Sequence, residues 1–306
     1  MPLNAQAQKF VEMTAAIPPM DSRPIPEARE GIAHALPAMI GQRAAVAEVV
    51  DLAIPRTGGE VPVRLYRTRT DIDQPVLIYM HGGGWAVGNV EIFDGFTSDM
   101  AVLTDAAVIS VDYRLSPEHV FPAALEDVMA VTKAALAGSI PGVDPQRVAV
   151  AGSSAGGNLA AVVAQQLRAE PGLRHQVLLY PVTRGFVPNT GSFVTYAEGY
   201  FMTSHDMDFF YGNYAPGVPL DEPRLAPMVN PDLSGLPPAT VVTAEYDPLR
   251  DDGEEYAAAM SAAGIPVALR RFDGQVHPFV YLDRIIDDAA IARQFISERL
   301  REAFKA

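Results

Sequence analysis

Gly152-Ser153-Ser154-Ala155-Gly156-Gly157 sits between the apolar run Arg147–Ala151 and a helical stretch over Ala155–Ala169. In a strand–turn–helix setting G-x-S-x-G forms a nucleophile elbow, which lifts the central serine clear of the sheet. Such a turn is strained and crowds its neighbours, so glycines are required where a Cβ would clash. Ser154 then stands at a helix N-terminus, where the peptide dipoles favour developing negative charge. A generic glycine-rich helix start would not also need the preceding strand and both outer glycines in register.

On either side of this hexapeptide, short β-rich runs alternate with helical patterns. The expected strands are Ala47–Ile54, Val61–Arg67, Val76–Met80, Ala107–Asp112, Arg147–Ala151, Gln176–Tyr180, Ala239–Glu245 and Val267–Phe272. Thr57-Gly58-Gly59-Glu60 reads as a hairpin turn, so the first two strands are expected to pair antiparallel. The later strands are continuous apolar runs, as expected when helices cover both faces of a parallel sheet. Helical patterns occupy Pro122–Leu136, Ala155–Ala169, Gly253–Ala263 and Asp287–Phe304. Strand–helix alternation predicts an α/β architecture with a mostly parallel eight-stranded sheet. Residues 1–46 look helical and amphipathic, and residues 184–225 interrupt the alternation with an aromatic-rich stretch that includes Phe209, Phe210 and Tyr211. A long insertion of this kind in a compact domain is usually functional.

A serine hydroxyl is a weak nucleophile and needs a base, which in turn needs an orienting carboxylate. Of the histidines after Ser154, His175 precedes a strand and His205 lies in the insertion. His277 follows the last strand and the loop Asp273-Gly274-Gln275-Val276, the place for a base. Asp247 follows the strand ending at Glu245, and Pro248 keeps it out of a helix. The rival carboxylates are Glu245, Asp251, Asp252 and Asp273, and Asp251 is read as capping the helix near Gly253. An oxyanion needs donors set in place beforehand. His81-Gly82-Gly83-Gly84-Trp85 follows a strand, and the amides of Gly83, Gly84 and Ala155, with Gly82 as a further candidate, are the expected donors. Trp85, Phe209, Phe210 and Tyr211 are the expected substrate contacts.

Composition narrows the alternatives. The 306 residues are 49% hydrophobic and 20% charged, with a net charge of −14, which argues against nucleic acid or anionic lipid as a partner. With no cysteine, thiolate chemistry and thiolate-ligated metal are excluded. No run of about 18 apolar residues predicts a membrane span. Met1–Met13 lacks the basic and apolar regions of a secretory signal, so a cytoplasmic protein is expected.

Taken together, the motifs make the chain similar to the hormone-sensitive-lipase-like esterases, the bacterial class IV carboxylesterases of the α/β-hydrolase fold. The resemblance is carried by His81–Gly84, Tyr113-Arg114-Leu115-Ser116-Pro117-Glu118, Pro122-Ala123-Ala124, Asp127, the elbow, Leu236-Pro237-Pro238-Ala239, Asp247-Pro248-Leu249-Arg250-Asp251 and Gly274-x-x-His277-x-Phe279. It implies a catalytic domain over 47–183 and 226–306, with a helical cap built from residues 1–46 and the insertion 184–225. It further implies short- to medium-chain acyl esters as small-molecule substrates, no cofactor or metal, and a homodimer through the edge strand Val267–Phe272. Ser153 stands where the family usually carries aspartate or threonine, and Pro278 where it usually carries glycine. Arg114 and Glu118 are read as a structural ion pair behind the oxyanion loop. The glycine loop also resembles that of kynurenine formamidases, which leaves amide or formamide hydrolysis as an alternative. A ligand receptor on this fold would lack a triad member, and none is missing here.

Overall fold

Eight strands form where the sequence places them, and a computed structural model describing residues 2–305 joins them in one sheet. They are β1 (Glu48–Arg56), β2 (Gly59–Arg67), β3 (Gln74–Met80), β4 (Ala107–Val111), β5 (Val143–Ser153), β6 (Leu173–Leu179), β7 (Ala239–Tyr246) and β8 (Val267–Val276). Their spatial order is β1-β2-β4-β3-β5-β6-β7-β8, with β1/β2 and β2/β4 antiparallel and the other neighbours parallel. The hairpin pairs Arg56 with Gly59, and Gly58 supplies a φ of 76° that the tight turn needs.

The helices are α1 (Ala5–Thr14), α2 (Ile25–Ala35), α3 (Asp94–Thr104), α4 (Ala123–Leu136), α5 (Ala155–Gln166), α6 (Ser192–Thr195), α7 (Ser204–Tyr214), α8 (Arg250–Ala262) and α9 (Asp288–Ala303). Strand alternation sorts them into two layers. Val76, Ile78 and Met80 of β3 share a core with Val128 of α4, Leu159 of α5 and Met260 of α8. Leu77 and Tyr79, one residue out of phase, share the opposite core with Phe96 of α3 and Ile296 of α9. The helix α3 has no counterpart among the helical patterns read from the sequence. Its Thr97, Ser98 and Thr104 point inward and donate to carbonyls one turn back, so its buried face is partly polar and the apolar periodicity is blurred.

After β3 the chain crosses to β4 on one side, then returns to β5 on the other. That reversal opens a crevice beyond the carboxyl ends of β3 and β5, where open α/β sheets place ligands. The N-terminal segment and the insertion meet each other near this end of the sheet. Phe10 of α1 packs on Phe201 at 4.9 Å, and exposed His205 of α7 pairs with Asp21 at 2.7 Å. No helix among the described residues is long and apolar enough to cross a membrane.

Two expectations need correction. The glycine-containing stretch 273–276 is not a loop but the end of β8, which runs on past a register shift to Val276. Arg114 and Glu118 do not pair with each other: Arg114 holds Asp127 at 2.9 Å, and Glu118 holds Arg29 of α2 at 2.7 Å. Tyr113–Glu118 is an irregular connection after β4, so six adjacent residues need not send their side chains to one place.

Two histidines are buried without a charge partner. Burial pushes both His81 and His175 from 6.5 down to about 4, and His175 Nε2 lies 2.8 Å from the hydroxyl of Thr240. Between those values the unfolded chain binds protons that the folded chain refuses, so each site contributes stability above 6.5 that is lost as pH falls towards 4. The size is about 3 kcal/mol per site. Denaturant titrations across this window are expected to show unfolding free energy falling with pH, and His175→Gln is expected to shallow the fall. An unchanged slope in that variant would place the titration elsewhere.

Candidate active site

Four of the residues singled out in the sequence stand immediately beyond a strand. His81 follows β3, Ser154 follows β5, Asp247 follows β7 and His277 follows β8. Because these strands are parallel, with Met80 beside Gly152 and Tyr246 beside Val276, all four arrive at the same edge of the sheet.

Ser154 has φ 55° and ψ −119°, and its side chain is buried at the start of α5. Its amide donates to the Leu179 carbonyl at 2.9 Å, and its carbonyl accepts from Asn158 at 3.0 Å and Val182 at 3.3 Å. A Cβ on Gly152 would lie 2.0 Å from the Gly156 carbonyl oxygen, and one on Gly156 would lie 2.1 Å from that of Met80. The outer glycines therefore let the elbow fold back on itself and against β3.

Asp247 and His277 are buried, with Oδ2 of the carboxylate 2.9 Å from Nδ1 of the imidazole. The other oxygen, Oδ1, accepts from the Leu249 amide at 2.8 Å. With both oxygens engaged the carboxylate is fixed in plane, and Nε2 is the ring nitrogen left for a substrate-side partner. Tyr180, next to the Leu179 that holds Ser154, packs its ring 4.5 Å from the His277 ring. The end of β6 and the residue after it thus contact both the elbow and the imidazole. Two of the rivals are occupied elsewhere. The carboxylate of Asp252 accepts from the Thr183 and Arg184 amides, and that of Asp251 accepts from Ser192 at 2.8 Å. Asp251 lies inside the first turn of α8 and ties the insertion down, instead of capping the helix as the sequence suggested.

The glycine loop lies against the elbow, since a Cβ on Gly82 would meet Ser153 Oγ at 2.8 Å and Ser154 Cβ at 3.5 Å. Gly83 and Gly84 have φ of 120° and 57°. The Gly83 carbonyl is taken up by the amides of Ala86 at 3.0 Å and Val87 at 2.9 Å. Ala155 is the first residue of α5, where helix geometry leaves the N–H without an internal acceptor. His81 is sandwiched between the rings of Phe93 and Tyr113 and, neutral at working pH, anchors the loop. The Phe210 ring covers Gly84 so closely that a Cβ there would fall 2.1 Å from it. Trp85 is fully buried and stacked on Tyr214 at 4.5 Å, so its indole seats α7 and does not face an opening. Tyr211 donates its hydroxyl to the Arg184 carbonyl, and Phe209 is half-buried beside Phe210.

The profile of the α/β-hydrolase-fold family matches residues 77–281, from β3 through the 3₁₀ turn after His277. The chain belongs to the α/β-hydrolase family. It is 40% identical to carboxylic ester hydrolase LipN of Mycobacterium tuberculosis over 83% of this chain and 70% of that protein. It is 33% identical to ethyl acetate hydrolase of Pseudomonas putida over 99% of both. An ester-hydrolase from the metagenome of Lake Arreo, solved with a bipyridine phosphonate derivative, has a TM-score of 0.94 at 34% identity, covering 99% of this chain and 100% of that one.

Within this α/β-hydrolase, Ser153 acquires a partner that the sequence did not reveal. Its Oγ accepts from the hydroxyl of Tyr281, which also meets that of Tyr79. Burial pushes Tyr281 up to about 12, so this chain of hydroxyls stays neutral beside the elbow. Tyr281 lies in the Phe279–Tyr281 turn just after His277, and no short motif links it to residue 153.

Close packing at the elbow sets a stability prediction. Gly156→Ala is expected to lower unfolding free energy by about 3 kcal/mol, because rigid backbone on β3 blocks the new methyl. Gly212→Ala in α7, with nothing within 4 Å of the added carbon, is expected to stabilise by up to about 1 kcal/mol. Urea unfolding of both variants measures the contrast.

Proposed function

We propose that this α/β-hydrolase cleaves short- to medium-chain carboxylic esters through an acyl-serine intermediate. The observation that carries the reading is the buried Asp247–His277 pair at 2.9 Å at the same sheet edge as a serine held at positive φ. Ser154 Oγ attacks the ester carbonyl carbon while His277 Nε2 takes its proton, and Asp247 holds the imidazolium that forms. The carbonyl oxygen becomes an oxyanion facing the amides of Gly83, Gly84 and Ala155, with Gly82 lining the same loop. Collapse expels the alcohol, which leaves with the proton from His277. Water activated by the same imidazole then attacks the acyl-serine and releases the acid. Every proton in this scheme is carried by His277, so the reaction as written needs no cofactor.

The specificity reading rests on Phe210. Its ring closes the space beside Gly84, so it limits acyl chains on that side, with Phe209 and Tyr211 supporting it from α7. Residues 1–46 and 184–225 act as the cap over the catalytic domain 47–183 and 226–306. The outer edge of β8, with Leu269 exposed, is the surface through which two copies would pair, and the absence of cysteine agrees with a cytoplasmic setting. The ester hydrolases among its relatives favour ester over amide substrates.

Ser154→Ala is expected to lower kcat on a nitrophenyl ester by about 10³-fold or more while the circular dichroism spectrum is kept. Asp247→Asn is expected to lose far more activity than Asp251→Asn, since only the first pairs with the imidazole. A Ser154→Ala enzyme within tenfold of the parent rate, or a reversed order of the two asparagine variants, would remove these assignments. For specificity, Phe210→Ala is expected to move the optimum in a nitrophenyl ester series towards longer acyl chains. An unmoved optimum would make Phe210 part of the insertion's own core.

A further inference from the structure

Arg29 lies on α2, outside the sheet, yet its guanidinium reaches the loop read above as the oxyanion site. Nε donates to the Ala86 carbonyl at 2.7 Å and Nη2 to the Ser116 carbonyl at 2.8 Å. Nη1 and Nη2 also grip the Glu118 carboxylate as a fork, at 2.8 and 2.7 Å. The hydrogen bond from Arg29 is the first cause of a Glu118 carboxyl held down at about 2, so the carboxylate stays charged at any working pH.

The two carbonyls are not arbitrary. Ala86 closes the turn that starts at Gly83, through its amide to the Gly83 carbonyl at 3.0 Å. The carbonyl before it, on Trp85, accepts from the Ser116 amide at 2.8 Å and from Ser116 Oγ at 3.3 Å. The backbone leaving the glycine loop is therefore tied at Trp85 to Ser116, at Ala86 to Arg29, and Ser116 itself is tied to Arg29. Three successive glycines have little stiffness of their own, so the direction of their N–H groups depends on ties of this kind. Only a guanidinium offers five donors in a rigid fork able to hold two carbonyls and a carboxylate together.

We propose that Arg29 is a positioning residue for the oxyanion loop, through which the N-terminal segment acts on transition-state stabilisation. This rests on reading the Gly83 and Gly84 amides as oxyanion donors. The inference separates Arg29 from a residue that merely docks α2. Loss of docking would raise KM or lower Tm and leave the acylation step intact. A loosened oxyanion loop lowers kcat and weakens ligands that mimic the tetrahedral intermediate.

The test compares the full-length parent, Arg29→Met, Arg29→Lys and Ser154→Ala for hydrolysis of a small nitrophenyl ester and for inhibition by phenylboronic acid. Arg29→Met is expected to lose about tenfold to a hundredfold in kcat with KM within about threefold, and to weaken phenylboronic acid by a similar factor. Arg29→Lys, which keeps the charge but not the fork, is expected to fall between. Values of kcat and inhibitor affinity within twofold of the parent in Arg29→Met overturn the proposal. Where Arg29→Met does not fold, the same result in Arg29→Lys overturns it. An inert Arg29 beside an inactive Ser154→Ala removes the positioning role alone, whereas an active Ser154→Ala removes the reading of the site beneath it.

Discussion

Ser154 occupies a rare positive-φ backbone state, φ 55° and ψ −119°, which costs a residue with a Cβ about 1–3 kcal/mol and persists only where surroundings over-determine it. Those surroundings can be followed atom by atom. The Ser154 amide is held by Leu179 of β6, Gly156 lies against the Met80 carbonyl of β3, and Gly152 against that of Gly156. Three neighbouring strands are thus committed to one turn. Since β3 also delivers the glycine loop and β6 leads into Tyr180, which packs on the His277 ring, the strands that hold the strained serine also carry the supports of the loop and of the imidazole. A change at the glycines would be felt first as lost stability and only then as lost chemistry.

Charge is distributed by the same logic. Buried carboxylates near the site are each satisfied by specific donors: Asp247 by His277 and Leu249, Asp252 by Arg184 and the amides of Thr183 and Arg184. An unpaired buried charge would be strongly destabilising. The run Asp247–Asp252 therefore joins the expected triad acid to the first residues of the insertion. Asn158, in the first turn of α5 after Ser154, donates to the carbonyls of Val182 and Leu225 at 3.1 and 2.8 Å, so it gathers both ends of the insertion. The two feet of the insertion stand on the elements that carry Ser154 and Asp247.

The N-terminal segment is bound in by a different set of contacts. Arg29 reaches the Ala86 carbonyl just after the glycine loop, Asp21 meets His205 of α7, and the Asn4 amide donates to the Gly274 carbonyl at 2.9 Å, three residues before His277. A segment that precedes the first strand thereby touches the loop after β3, the insertion and the strand leading to the imidazole.

Much of this was legible in the residues themselves. Short apolar runs bounded by turns and glycine turns are local properties, so all eight strands, the hairpin and the elbow could be read directly, and chain order pointed to Asp247 and His277. What is missing from such a reading is any signal for side chains that meet only through the fold. Arg29 and Ser116, Tyr281 and Ser153, or Phe210 and Gly84 are far apart in sequence and carry no shared periodicity. The same limit paired Arg114 with Glu118, since adjacency along an irregular connection says nothing about where each side chain turns. The sequence by itself determined the α/β sheet, the strained serine turn and the candidate triad, because each is encoded by neighbours within a few residues. Only the tertiary structure decided which partners stabilise them, because burial and hydrogen-bond geometry arise when distant segments converge at one edge of the sheet.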